Sequence, residues 1–331
     1  MGRIFQKMAG HAWTIAPALR HRVFPRTGPA ADDWSMTLED PRVGPVEITG
    51  RYARRESRTL VVLVHGLGGH AESAYMVDAA AAVDRAGLSC LRLCLRGAGG
   101  TGEDIYHAGL TEELHAALSH PDFEGYEHLV VIGFSLGGHV ALRAAVEGGH
   151  RRLRAVGAVC PPLDLREVQR WLDAPARKIY RAYILNELRA MYARVARRGR
   201  APTPMARIRP VRTLLEWDAL TVVPRFGFDD PDDYYETMSV GPQLEDVQVP
   251  ALIVAGRHDP MIPAHVAERF LEDSPALSEV CWVDDGGHVF FPRGVETGLS
   301  DEERLVGQML GWFERRCRAA RVGQSTVGSS T

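Results

Sequence analysis

Ser135 stands in the stretch "LVVIGFSLGGH" (129–139), between Gly133 and Gly137. A Gly-x-Ser-x-Gly pattern is a weak signal alone in a chain with 33 glycines, so its setting has to carry it. Four apolar residues, Leu129 to Ile132, lead into it, and a helical pattern opens at Leu136. A sharp strand-to-helix turn at this point would strain the serine backbone and lift its hydroxyl above a sheet. Gly133 and Gly137 would then be needed where a side chain would collide. The start of the helix would aim N–H groups at negative charge developing beside Ser135. That is the chemistry of a nucleophile.

A serine hydroxyl needs a base within hydrogen-bond reach and a third group to orient that base. "AGRHDP" sets Asp259 just after one apolar run, and "DDGGHVF" sets His288 after the next. The 29 residues between them leave room for one helix and one strand, so both loops can return to the same sheet edge. Pro260 biases Asp259 away from helical geometry, which suits a carboxylate held in a loop. The order nucleophile, acid, histidine makes Asp259 the expected acid and His288 the expected base. Asp284, Asp285 and Asp164 are alternative acids, and His258, beside Asp259, is poorly placed to bridge to Ser135. For an oxyanion, the expected donors are the amides of Leu136 and of Leu67, the latter in "VVLVHGLGGH" (61–70), where His65 is read as bracing the loop.

The elements that must hold these residues alternate. Strand-like runs at 59–64, 88–95, 128–134 and 153–160 are separated by helical patterns, and the strand pattern returns at 250–260 and 278–285. Continuous apolar runs suit strands buried on both faces, and the alternation predicts a doubly wound, mostly parallel α/β sheet. Between about 165 and 240 it stops, giving way to helical, Arg-rich and aromatic segments that read as a helical cap inserted into one sheet domain. The expected organisation is an N-terminal segment at 1–50, a core at 51–164 and 241–319, the cap at 165–240 and a disordered tail at 320–331.

With 45% hydrophobic and 24% charged residues, the chain can bury a sizeable core. A net charge of −3 gives no global attraction to nucleic acid or an anionic membrane, so activity must come from a local site. No run approaches the roughly 20 apolar residues needed to span a bilayer, and the start lacks the pattern of a signal peptide. Cys90, Cys94, Cys160, Cys281 and Cys317 are odd in number, which points to reduced thiols and a cytoplasmic setting. No His, Cys or carboxylate set has metal-site spacing, and no cofactor is expected. "RGAGGTG" (96–102) lacks the lysine and Ser/Thr of a phosphate loop and is read as bordering a pocket. The arginines from Arg194 to Arg212 are read as a solvated face, and Trp171, Tyr180, Tyr183 and Trp217 as acyl-pocket lining or cap core alike.

Taken together, the residues resemble the AB hydrolase 4 family, the YheT and ABHD1/2/3 type of α/β hydrolase. Beyond the nucleophile segment, "GHAWTIAPAL" (10–19), "LRGAGGTGEDIYHAGLTEEL" (95–114), "VCPPLDL" (159–165), "DDYYETMS" (232–239), "RHDPMIP" and "GGHVFF" fall in the family's order. His139 stands where relatives usually carry Asn. The resemblance implies an α/β-hydrolase fold with Ser135, Asp259 and His288 as nucleophile, acid and base. It also implies hydrolysis of carboxylic esters, short- to medium-chain or acylglycerol-type, through an acyl-enzyme. The substrate would be a small ester or lipid; an acyltransferase using the same acyl-enzyme and a non-catalytic ligand-binding protein are the rival readings. Oligomeric state is not legible.

Overall fold

Eight strands form one sheet: β1 (Asp32–Asp40), β2 (Gly44–Ala53), β3 (Thr59–Val64), β4 (Ser89–Leu93), β5 (His128–Phe134), β6 (Leu153–Val159), β7 (Ala251–Gly256) and β8 (Ser278–Val283). Helix α1 (Gly2–Val23) precedes them, and α2 (Ala74–Arg85), α3 (Glu112–Leu118) and α4 (Leu136–Val146) connect the central strands. Between β6 and β7 lie α5 (Leu165–Asp173), α6 (Lys178–Arg197), α7 (Met205–Ile208), α8 (Leu214–Leu220), α9 (Val222–Phe226) and α10 (Pro231–Met238). Then follow α11 (Ala264–Leu271) and, after β8, α12 (Leu305–Val327). The computed structural model describes residues 2–272 and 276–327.

The sheet order is β1-β2-β4-β3-β5-β6-β7-β8. From β4 to β8 every pairing is parallel, whereas β2 runs antiparallel to both its neighbours, β1 and β4. The doubly wound, mostly parallel α/β sheet expected from the alternation is therefore present. Alternate residues of β3 serve opposite faces, as the period of two requires. Leu60, Val62 and Val64 pack in the cluster holding Leu114 of α3 and Val140 and Ala141 of α4. Val61 and Leu63 pack in the one holding Met76 and Val83 of α2 and Met309 and Phe313 of α12.

Two differences from the sequence reading stand out at the termini. The segment 1–50 does not stand apart: it contributes a long helix and, in β1 and β2, one edge of the sheet. At the other end α12 runs through Val327 into the tail expected to be disordered, and 328–331 lie outside the described residues. No helix among the described residues is long and apolar enough to cross a membrane.

Candidate active site

The turn between β5 and α4 imposes what the glycines suggest. Ser135 has φ 53° and ψ −122°, in the left-handed half of the map, where a side chain is strained. A Cβ on Gly133 would lie 2.0 Å from the Gly137 carbonyl oxygen, and one on Gly137 would lie 2.3 Å from that of Val64. Neither position tolerates a side chain without moving backbone. The Ser135 N–H donates to Val159 O at 2.8 Å, which ties the turn to β6. Across from it, Gly66 approaches so closely that its Cβ would sit 3.0 Å from Ser135 Cβ. Gly66 and Gly68 donate their N–H groups to the hydroxyls of Tyr75 (3.0 Å) and Tyr106 (2.7 Å), which leaves the Leu67 amide between two held neighbours. His65 braces this loop: Nδ1–H donates to Gly66 O at 2.8 Å, and Nε2 accepts from the Leu95 N–H at 3.1 Å. Burial lowers its pKa to about 4, which keeps the ring neutral and the acceptor available.

Asp259 follows β7 and His288 follows β8. His288 Nδ1–H donates to Asp259 Oδ2 at 2.8 Å, and both residues are buried. The second oxygen, Oδ1, accepts the N–H groups of Met261 (2.8 Å) and Ile262 (3.0 Å), so the carboxylate is fixed on both sides. With Nδ1–H given to Asp259, Nε2 is the nitrogen left for a proton from the cavity, which His288 and Ser135 line together with Leu67 and Leu136. The other carboxylates lie elsewhere. Asp284 and Asp285 are exposed, with Asp284 3.4 Å from Arg257, and Asp164 caps α5 and pairs with Arg269 at 2.6 Å. Cys160, at φ 50°, brings its thiol into the same neighbourhood: its Sγ and one ligand atom each of Asp259 and His288 lie within 4.8 Å of one another. Burial, and then the Asp259 charge, push that thiol's pKa well up.

A model of the alpha/beta hydrolase family matches residues 61–297, well over half of the chain. The chain belongs to the α/β hydrolase family. This α/β hydrolase is similar to the putative esterase YheT of Escherichia coli K12, with 30% identity over 268 residues that span 79% of this chain and 78% of that protein. Medium-chain fatty acid ethyl ester synthase/esterase 2 of Saccharomyces cerevisiae is 24% identical over 268 residues, 70% of this chain and 58% of the yeast protein. Among solved structures, the Pyrococcus furiosus esterase Pf2001 aligns over 88% of this chain and 98% of its own at a TM-score of 0.57 and 17% identity, a likeness of fold. The YheT-like resemblance read from the motifs is borne out.

In this α/β hydrolase the cavity above Ser135 has a volume of about 720 Å³. Its walls come from α1, from the loops after β3 and β4, and from α5, α6, α8 and α10. Tyr180, Tyr183 and Trp217 line it, whereas Trp171 turns away and donates Nε1–H to Pro260 O at 3.0 Å. The loop at 96–102 does not border it as the sequence reading expects; of the stretch that follows, Tyr106, His107 and Ala108 do. Arg96 instead lies fully buried in an ion-pair cluster.

One acidic group in the cavity wall escapes sequence reasoning. Asp218 accepts the Tyr235 hydroxyl on Oδ2 at 2.6 Å, and burial pushes its pKa from 3.8 to about 7. An acid raised in the fold keeps a proton that the unfolded chain sheds, so between about pH 4 and 7 Asp218 weakens folding progressively as pH rises. Buried His65, His107 and His139 act with the opposite sign. Burial lowers them to about 4, 3 and 4, so their contribution is intact above pH 6.5 and is lost as pH falls toward 4. With His11, His70 and His150 also lowered, six histidines stand against two raised acids, Asp218 and Glu113, which should make the wild-type melting temperature fall between pH 7 and 5. Asp218→Asn should gain melting temperature over wild type at pH 8 and little at pH 5. A gain equal at both values would contradict the raised carboxyl.

Proposed function

We propose that this α/β hydrolase is a serine esterase acting on carboxylic esters of short- to medium-chain or acylglycerol type. The observation that carries it is the convergence on one cavity of a strained serine, a histidine oriented by a buried, doubly held aspartate, and a glycine loop packed against the serine. Ser135 Oγ attacks the acyl carbonyl while His288 Nε2 takes its proton, and Asp259 holds the imidazole in the required tautomer. The amides of Leu67 and Leu136 receive the oxyanion. His288 then gives the proton to the leaving alcohol, and activates water to release the acid and regenerate Ser135. The names of the YheT and yeast relatives support an ester substrate.

Helices α5 to α10 act in this reading as a cap, supported by the number of cavity residues they supply: Leu172, Ile184, Leu188, Trp217 and Tyr235 among them. Cytoplasmic residence accords with Cys90, Cys94, Cys160 and Cys281, which are buried as free thiols. Transfer of the acyl group to an alcohol instead of water is a second reading, favoured by the apolar cavity walls and by the word synthase in the yeast relative's name. The test is hydrolysis of nitrophenyl esters of increasing acyl length, with added ethanol or glycerol as competing acceptor. Turnover into free acid supports the esterase, and a product dominated by new ester supports the transferase. No turnover of any ester, with no labelling of Ser135 by a fluorophosphonate, would overturn both.

A further inference from the structure

The loop that carries His288 is tightly bent. Gly286 has φ 129° and Val289 φ 57°, and the Gly287 N–H closes the turn on Phe290 O at 2.8 Å. What holds the His288 backbone from outside this loop is a residue of α1. The Thr14 hydroxyl oxygen accepts the His288 N–H at 2.8 Å, a buried bond between residues 274 apart in sequence. The hydroxyl has one proton, and Thr14 gives it to Gly10 O at 2.8 Å, so its remaining capacity faces His288 as an acceptor.

The contact is shaped on both sides. A Cβ on Gly287 would lie 2.4 Å from Thr14 Oγ1, and a Cβ on Gly10 would lie 2.2 Å from His258 O and 3.5 Å from Gly286 O. Two glycines thus let α1 sit directly on the loops that present Asp259 and His288. The same helix faces the cavity through Ile15, Ala18 and Leu19. We propose that Thr14 is a positioning residue for His288: α1 clamps the two loops, and the Thr14 hydroxyl sets the height and tilt of the imidazole above Ser135. This rests on His288 being the base. Misplacing reacting groups by about 1 Å costs on the order of 10²-fold in rate, so a bond to the backbone of the base residue has leverage that its own strength does not suggest.

Thr14→Val keeps the shape and removes the acceptor, which leaves the His288 N–H buried and unpaired; Thr14→Ser keeps the acceptor. Steady-state kinetics on a nitrophenyl ester, fluorophosphonate labelling rates and melting temperatures are measured for wild type, both variants and His288→Ala. For Thr14→Val the expected result is a loss of about tenfold or more in kcat with KM changed less than about threefold, labelling slowed in parallel, and the folded fraction at assay temperature unchanged. Thr14→Ser should recover most of the rate. Unchanged kcat in Thr14→Val, an equal loss in Thr14→Ser, or a loss accounted for by unfolding would overturn the proposal. Full activity in His288→Ala would instead overturn the assignment of the base, a distinct outcome.

Discussion

Ser135→Ala is expected to lower kcat/KM for nitrophenyl esters by at least ~10³-fold while leaving the melting temperature close to that of wild type. Both halves follow from the geometry. The backbone at φ 53° is held by the Ser135 N–H to Val159 O bond and by the glycine packing at 133 and 137, none of which uses the hydroxyl. Alanine is as strained there as serine, and no better at relieving it. What disappears is the only atom proposed to form the acyl-enzyme. The amides of Leu67 and Leu136 and the cavity remain, so residual turnover by water should persist at a low level. Adding His288→Ala to Ser135→Ala should cost little more, because groups that act as one unit do not add. Full ester turnover by the single variant, or undiminished fluorophosphonate labelling of it, would sink the mechanism.

Ser135, Asp259 and His288 are legible because each follows an apolar run and their order is informative before any contact is known. Strands β3 to β8 are legible for a related reason: "TLVVLV" and "HLVVIGF" are apolar on both faces, a pattern a central parallel strand produces. β1 and β2 escape because one face of each is solvated. Trp34 and Met36 of β1 alternate with Asp33, Ser35 and Thr37, and Val46 and Ile48 of β2 with Glu47, which is a period-two signal short enough to pass for a polar segment. Helix α1 escapes for want of a strong apolar stripe, and Pro17 within it argues against a helix. Thr14 carried no sign at all of its bond to His288: a single hydroxyl paired across 274 residues leaves no periodicity to read. The family resemblance had marked its segment without giving the reason.

The largest expected effect on stability is at Arg96, the first residue of the glycine-rich loop. Its side chain is fully buried, with Nη1 2.7 Å from Asp40 and 3.0 Å from Asp104, Nη2 3.0 Å from Glu112, and Nε bonded to buried Glu113. Arg225, from α9, reaches the same two aspartates at 2.9 and 2.7 Å. One point thus joins the end of β1, the loop after β4, α3 and the inserted helices. Burial pushes the Asp40 carboxyl up, but the Arg42 N–H, Arg96, the Val43 N–H and Arg225 together hold it well below the usual carboxylate range. Burial wins at Glu113, whose pKa stays raised against the pull of Arg96. Arg96→Met fills most of the volume, leaves Asp40 and Asp104 to Arg225, and strips Glu113 of its Arg96 partner. Breaking a buried charge set from one side costs about 3–5 kcal/mol, since the orphaned charges gain nothing for their desolvation. The loss should shrink as pH falls from 7 to 5. In the variant Glu113 loses the Arg96 charge that opposes the effect of its burial, so its carboxyl is raised further, and a raised acid weakens folding most at high pH. Urea unfolding of wild type and Arg96→Met at the two pH values measures both. A difference under about 1 kcal/mol at pH 7 would place the cluster among ion pairs that contribute little net stability. Arg96→Lys should fall between, because a compact ammonium with three donors cannot span the four carboxylates that the wider guanidinium fork reaches.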